Sequence, residues 1–234
     1  MPRTSLTRAT ATPGPRSLAR AATLVLLAAG SLAACGDKAP AEPTEQQTHT
    51  TLIPGSNNGF VEARTSQIVS DGSPPSYVFD DFEFEEDGTI GTVGWQGIFC
   101  VQTAGSSAPA PTATQFTIKI YLDAAGMPDL GATLHTSTHT LAQSNQVFER
   151  EVSNLNCGTA SPTEWAFYRY ETDLATPVAI EGGAKYWISI QAHTPSYAVY
   201  FGWRDGLADN NHSLQLYDGD YTTWNVDRAY SLEP

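Results

Sequence analysis

The chain has 234 residues, of which 25 are acidic and 12 basic, so its net charge at pH 7 is −13. This excess of acid argues against a nucleic-acid partner and against direct adhesion to anionic lipid, because both require a basic surface. Hydrophobic residues make up 41% of the chain, which is enough to bury a core of substantial size.

The N-terminal segment, residues 1–34, is predicted to be an export signal. Four arginines and no acidic residue flank the apolar run at 21–30, which is too short to span a bilayer. Leu32-Ala33-Ala34-Cys35 resembles the lipobox of bacterial lipoproteins, in which the cysteine becomes the lipidated N-terminus. The resemblance implies an exported protein, acylated at Cys35 and anchored by its lipid to the cell membrane or the outer membrane. The alternative is an ordinary secretory signal with Cys35 incidental.

Removal of this signal leaves eight basic residues against 25 acidic ones, a net charge of −17. Residues 35–58 are rich in Pro, Thr, Gln and Glu, which predicts a lipidated cysteine followed by a flexible tether. Residues 59–234 have the length of one domain. Cys100 and Cys157 remain as one pair in an oxidising compartment, which predicts a disulfide; two free thiols are the alternative.

Period-two alternation of apolar and polar residues dominates the domain, and no period of 3.6 persists for three turns. The clearest strands are Phe116–Asp123 and Tyr186–Ala192. Further strands are predicted at 89–99, 132–138, 146–152, 166–172, 177–180, 197–203, 213–216 and 228–232. Many short strands at regular spacing predict an all-β fold, a two-sheet antiparallel β-sandwich in a single domain.

Five segments occur in an informative order: FDDF at 79–82, VGWQG at 93–97, FTIKIY at 116–121 with Asp123 and GMP after it, YWISI at 186–190 and DRAYSL at 227–232. Together they resemble the secreted jelly-roll-type β-sandwich domains of bacterial surface proteins, which are attached through interchangeable anchors. The resemblance implies a jelly-roll-like fold and display at the cell surface. It carries no catalytic residues over to this chain.

Motifs of nucleophilic hydrolases and of phosphate-binding loops are absent, so the protein is predicted not to be an enzyme. His135 and His139 have the spacing of a helical zinc pair, but their surroundings predict a strand. Four residues of strand span about 13 Å, too far for one metal, so both are predicted to be exposed structural histidines. His49 is assigned to the tether.

Asp80 lies on the same strand face as Val78 and Phe82, where a carboxylate needs a partner. It is predicted to be structural, either at a bulge that turns both Phe79 and Phe82 inward or as an acceptor of backbone N–H groups. Two other roles remain open. Asp80 and Asp81 supply oxygen ligands that suit Ca²⁺, and either one, with a loop acid, suits an acid/base glycan hydrolase.

Aromatic residues near the C-terminus indicate a binding function. Tyr217, Tyr221 and Trp224 lie in a segment rich in Gly, Asp and Asn that is predicted to be a loop, where their rings can stack on sugars. The alternative is that these rings fill the sandwich core or cover its ends. The prediction is therefore a non-catalytic domain for surface binding, adhesion or scaffolding, with a glycan or another envelope protein as its partner. A carbohydrate-binding module is the first alternative.

Overall fold

Strands form nearly all the regular structure in the described part of the chain, which in this computed structural model comprises residues 47–52, 63–101, 113–152, 165–195 and 199–234. The strands are β1 (His49–Thr50), β2 (Ala63–Thr65), β3 (Gln67–Val69), β4 (Ser76–Glu83), β5 (Gly88–Val101), β6 (Gln115–Asp123), β7 (Pro128–Thr140), β8 (Val147–Val152), β9 (Trp165–Ile180), β10 (Lys185–Thr194), β11 (Val199–Arg204), β12 (Ser213–Tyr217), β13 (Asp220–Trp224) and β14 (Tyr230–Glu233). One short 3₁₀ helix, Leu141–Gln143, follows β7. None of the described residues belongs to a helix long and apolar enough to span a bilayer.

The first sheet is built around the long strand β5. Its order is β1-β14-β5-β11-β2, while β9 pairs with the other side of β5 and β8 pairs with β9. Strands β14 and β11 lie along the same side of β5, since Tyr230 is opposite Trp95 and Trp203 is opposite Gly97. All pairs in this sheet are antiparallel.

The second sheet has the order β13-β12-β4-β3-β10-β6-β7, and β4 also pairs directly with β10. The predicted all-β sandwich of two sheets is confirmed. One pair departs from the predicted antiparallel pattern, because β3 runs parallel to β10. The chain passes from the first sheet to the second at Ser66, whose N–H donates to Phe201 and whose hydroxyl donates to Ile190. Because Ser66 alone separates β2 from β3, β3 continues in the direction of β2.

The core lies between the two sheets and is strongly aromatic. Trp95 stacks on Tyr170 with ring centroids 5.3 Å apart, and Phe116 meets Trp95 edge-on at 5.0 Å. Gly97 lies close to this cluster: a Cβ there would fall 2.3 Å from a ring carbon of Phe201. Packing thus accounts for Gly97, the second glycine of the VGWQG segment.

The tether predicted at residues 35–58 is too long at its C-terminal end, because His49, Thr50 and Thr51 belong to the fold. His49 and Thr50 form β1 against β14, and the N–H of the buried Thr51 donates to Tyr230 at 2.8 Å. Backbone hydrogen bonds hold β1, together with contacts of the His49 ring with Tyr230 and Phe82, so its polar composition gave no signal of it. Cys35 and Cys157 lie outside the described residues and the side chain of Cys100 is not described, so lipidation and the disulfide stay predictions.

Three local expectations are wrong. The strands predicted at 166–172 and 177–180 are one continuous strand, β9. The predicted loop around Tyr221 is a hairpin of β12 and β13, which turns at Asp218 and Gly219 with φ values of 50° and 90°. His135 and His139 do lie on a strand, β7, but His139 is buried and its Nδ1 lies 3.0 Å from the hydroxyl of Thr172.

Candidate functional site

The solvent-facing side of the second sheet carries an apolar cluster of its own. Alternation turns Val78 and Phe82 toward the core, so their neighbour Phe79 faces outward. The outer side of a two-layer antiparallel sheet is ordinarily polar. Here it bears a set of residues that we call the outer-face cluster: the buried Phe79, Tyr121, Trp187 and Leu214, with Tyr77, Met127 and Leu216 packed against them.

Strand register brings the outer-face cluster together. Tyr121 lies opposite Trp187 across β6 and β10, while Leu214 lies opposite Phe79 and Leu216 opposite Tyr77 across β12 and β4. The rings of Tyr77 and Phe79 are stacked at 6.0 Å. Phe79 meets Tyr121 edge-on at 5.6 Å. The register of the strands therefore sets the relative positions of the aromatic rings in the cluster.

A depression of about 210 Å³ opens over this cluster. Its lining residues are Tyr77, Lys119, Tyr121, Leu130, Thr133 and Leu216. Leu130, on β7, is 49% exposed, so an apolar side chain is open to solvent here. The depression thus combines apolar walls with a few polar groups, which is the composition of small-molecule sites.

Polar groups on the same face have unused hydrogen-bonding capacity. Lys119 lies opposite Ser189 in the register of β6 and β10. Its Nζ is 5.9 Å from the ring centroid of Tyr77, and it forms no ion pair with any residue that the structure describes. Ser189 and Gln191 are buried, yet Ser189 Oγ and Gln191 Oε1 have no hydrogen-bond partner in the described part of the chain.

Asp81 occupies the other end of this face and is fully engaged. Its carboxylate accepts from Lys185 Nζ at 2.5 Å and lies 3.1 Å from Nδ1 of His212. The hydrogen bond to Asp81 raises the pKa of Lys185. Lys185 is therefore a paired cation, in contrast to Lys119.

Asp80 faces the interior, as its alternation predicts. Its Oδ2 accepts the backbone N–H of Arg228 at 2.5 Å, and burial raises its pKa well above the ordinary value. The register of β4 with β12 is unbroken through Phe79 and Asp80, and Phe79 faces outward. The bulge alternative is therefore wrong, and the backbone-acceptor role of Asp80 is confirmed.

The cation site predicted at Asp80 and Asp81 is not formed. The two side chains lie on opposite faces of β4, and no group of three or more His, Cys, Asp or Glu side chains suited to a metal occurs among the described residues. Both aspartates are at most 2% exposed and hold hydrogen-bond partners. A glycan substrate has no access to either of them, so the hydrolase alternative loses both of its residues.

The acidic loop before β12 is also not arranged for a cation. The buried carboxylate of Asp227 accepts the backbone N–H groups of Asp209, Asn211 and His212 at 2.5, 3.1 and 2.9 Å. Backbone donors converge on an anion here, which is the opposite of a Ca²⁺ site.

The aromatic trio predicted for sugar binding is split between two faces. Tyr221 lies opposite Leu216 and belongs with the outer face, while Trp224 lies opposite Ser213. Tyr217 and Trp224 therefore point to the other side of the hairpin. The guanidinium of Arg64 covers Trp224 at 3.7 Å from the ring centroid. Of the three, Tyr221, 39% exposed, lies on the outer face, where its ring centroid is 6.3 Å from that of Phe79.

A second, larger groove of about 890 Å³ lies where β5, β9 and β10 begin or end. Its wall includes Asp87, Asp123 and Lys185. Asp87 accepts the N–H of Gly182, and Asp123 accepts Trp187 Nε1 at 2.8 Å. These carboxylates hold the surrounding turns and strands together, so the outer-face depression is the better candidate.

The fold and this face define a two-sheet β-sandwich domain with a second apolar cluster on the outer side of one sheet. Residues 49–231 match the family described as Domain of unknown function (DUF7901), and the chain belongs to that family. The match begins at His49, the first residue of β1. No curated protein and no solved structure matches the chain.

Proposed function

We propose that the protein is a non-catalytic binding domain of the cell envelope and that its ligand docks on the outer face of the second sheet. The observation that carries this proposal is the depression over the outer-face cluster, where the exposed Leu130 and the half-buried Tyr77 and Leu216 leave apolar surface open to solvent on the side of a sheet that is ordinarily polar. Contiguous apolar surface on a soluble domain typically marks an interaction site.

The anchor in this proposal is the lipid on Cys35. The export signal and the lipobox-like sequence support it, and the polar segment after Cys35 would hold the domain away from the membrane. The net charge of −17 without the signal favours such a spacer, because an acidic domain is repelled by anionic lipid. Lipid, rather than protein surface, then provides the membrane contact.

A carbohydrate-binding module is the more specific form of this function. The depression places the rings of Tyr77 and Tyr121 beside the polar groups of Lys119 and Thr133. Flat rings suit the apolar faces of sugars, and hydroxyl and ammonium groups suit their oxygens. This site replaces the trio of Tyr217, Tyr221 and Trp224, which the sheet separates.

A matched pair of substitutions tests the location of the site. Leu130 and Phe148 are apolar residues of similar exposure, 49% and 53%, but only Leu130 lines the depression. We expect Leu130→Ser to weaken binding by about tenfold, the effect of removing one central apolar contact. Phe148→Ser, on β8 of the first sheet, is the control and should leave binding unchanged.

The measurement is titration of the mature chain, with Cys35→Ser to keep it in solution, against a panel of polysaccharides and envelope proteins. Equal losses from both substitutions would place the ligand elsewhere. Absence of binding to every member of the panel would argue against a binding domain for these ligands.

A further inference from the structure

We infer that the outer-face depression binds a uronic acid residue, so that the ligand is an acidic polysaccharide. This inference rests on the proposed function and adds the chemical class of the ligand. It is drawn from the charge of Lys119, from the apolar wall beside it and from the unused polar groups on the same face.

Lys119 is an unusual cation for this molecule. The sequence has three lysines, of which the structure describes Lys119 and Lys185, and both lie on the outer face. Lys185 is paired with Asp81, whereas Lys119 lines the depression without a carboxylate partner among the described residues. In a domain with such an excess of acid, an ammonium group without a carboxylate marks a place where an anion is favoured.

The apolar wall fits a sugar ring that carries a carboxylate. Tyr77 and Leu216 line the depression together with Lys119. A pyranose has an apolar face that packs on such a surface, and the C6 carboxylate of a uronic acid projects from the edge of the same ring. Ring packing and an ion pair to Lys119 are thus available to one sugar at the same time.

Size and hydrogen bonding agree with a single sugar unit as the anchor. The volume of about 210 Å³ lies below the roughly 300–1,000 Å³ that suits drug-sized ligands. The exposed hydroxyl of Thr133 lies at the rim. Ser189, opposite Lys119 in the sheet, retains a buried hydroxyl without a partner among the described residues.

The negative charge of the domain does not oppose this binding at short range. Charges more than about 8 Å away are screened at physiological ionic strength. Asp81, the buried carboxylate of the same face, is neutralised by Lys185. Asp123, on the same face of β6, accepts hydrogen bonds from Trp187 Nε1 and from the N–H of Gly126. Lys119 is the cation that lines the depression, so binding of an anion there should weaken as salt increases.

Calorimetric titration with oligogalacturonate and with its methyl ester tests the inference, because esterification removes the negative charge of the carboxyl group and adds one methyl group. The protein is the mature chain with Cys35→Ser. We expect the acid to bind about tenfold or more tightly than the ester, the effect of one charge-assisted hydrogen bond. Lys119→Gln should abolish this preference and Lys119→Arg should keep it.

Arg169→Gln is the control for net charge, since it removes one cation from the first sheet, where Arg169 is 43% exposed. It should leave the preference for the acid intact. Equal binding of acid and ester, a preference that survives Lys119→Gln, or failure of both ligands to bind would each overturn the inference. The proposed function is judged separately, by the loss that Leu130→Ser causes for any ligand of the panel.

Discussion

Asp80 places a carboxyl group in the interior, where the backbone N–H of Arg228 is its hydrogen-bond donor among the described residues. Arg228 is itself buried, and its guanidinium donates to the hydroxyl of Ser213 and to Asp205. Because Asp205 already pairs with that guanidinium, Asp80 is not needed as its counter-ion. Burial then favours the neutral carboxyl form of Asp80.

Replacing this carboxyl by an amide should change how stability depends on pH. The pKa of Asp80 is raised above 3.8 in the folded protein, so its contribution is complete below about pH 4 and is lost as pH rises toward the folded pKa. The loss amounts to about 1.4 kcal/mol for each pH unit between the two values. We expect the melting temperature of Asp80→Asn, relative to the native chain, to rise steadily from pH 4 to pH 7.

The control for this series is Asp220→Asn, at the exposed first residue of β13. It removes the same charge without a buried group and should keep the native pH dependence. A constant difference between Asp80→Asn and the native chain across the range would show that Asp80 titrates normally.

Alternation along single strands predicted part of the site at the residue scale. It placed Asp80 inward beside Val78 and Phe82, and the same rule turns Phe79 outward. The aromatic residues at outward positions, Phe79 in β4 and Trp187 in β10, were the available signal of the outer-face cluster. The partner of Asp80 could not be predicted, because Arg228 is 148 residues away and no local pattern reports such a contact.

Strand β1 shows how a short element can depend on one side chain. His49 stacks on Tyr230 with ring centroids 5.3 Å apart, and its Nε2 lies 3.8 Å from Asp209. Burial lowers the pKa of His49, although the charges of Asp209, Asp227 and Asp81 oppose this shift. The neutral imidazole is thus the form that fits between β14 and the loop before β12.

Acidification should therefore weaken the attachment of β1. A histidine with a lowered pKa contributes fully above its ordinary value of 6.5, and this contribution is lost as pH falls through the folded pKa. We expect His49→Gln to lose less stability than the native chain when pH is lowered from 7.5 to 5, as measured by thermal unfolding. Gln47→Ala, beside β1 but without a titrating group, should shift the unfolding curves equally at every pH. Parallel curves for His49→Gln and the native chain would contradict this role.

Elements with clean alternation were predicted well, and their boundaries less well. Strands β6 and β10 agree with the predicted Phe116–Asp123 and Tyr186–Ala192 to within two residues. Strand β12 was predicted at 213–216, but β13 was missed because it is polar and exposed, although Asp218-Gly219 is a common two-residue turn. Strand β1 was missed because two residues carry no period.

The segments that gave the resemblance to surface domains prove to contact one another. Asp80 of FDDF accepts from Arg228 of DRAYSL, and Trp187 of YWISI donates to Asp123 after FTIKIY. Their residues hold the strands of the sandwich together, so the order of these segments identifies a fold. The candidate site takes Lys119 and Tyr121 from FTIKIY, but Tyr77, Leu130 and Leu216 of its lining lie outside those segments. Pairing between distant strands brings these residues together, so the sequence predicted the fold better than the site.

The attachment of the whole molecule to the membrane should depend on Cys35. The domain is too acidic to adhere to anionic lipid, whereas each buried CH₂ of an acyl chain contributes about 0.8 kcal/mol to membrane binding. We expect the native protein to incorporate a labelled fatty acid and to sediment with membranes. Cys35→Ser should carry no label and should move to the soluble exported fraction, while Cys100→Ser, which removes a different cysteine, should remain with the membranes. Sedimentation of Cys35→Ser with membranes that survives a wash with high salt would show that another part of the chain provides the anchor.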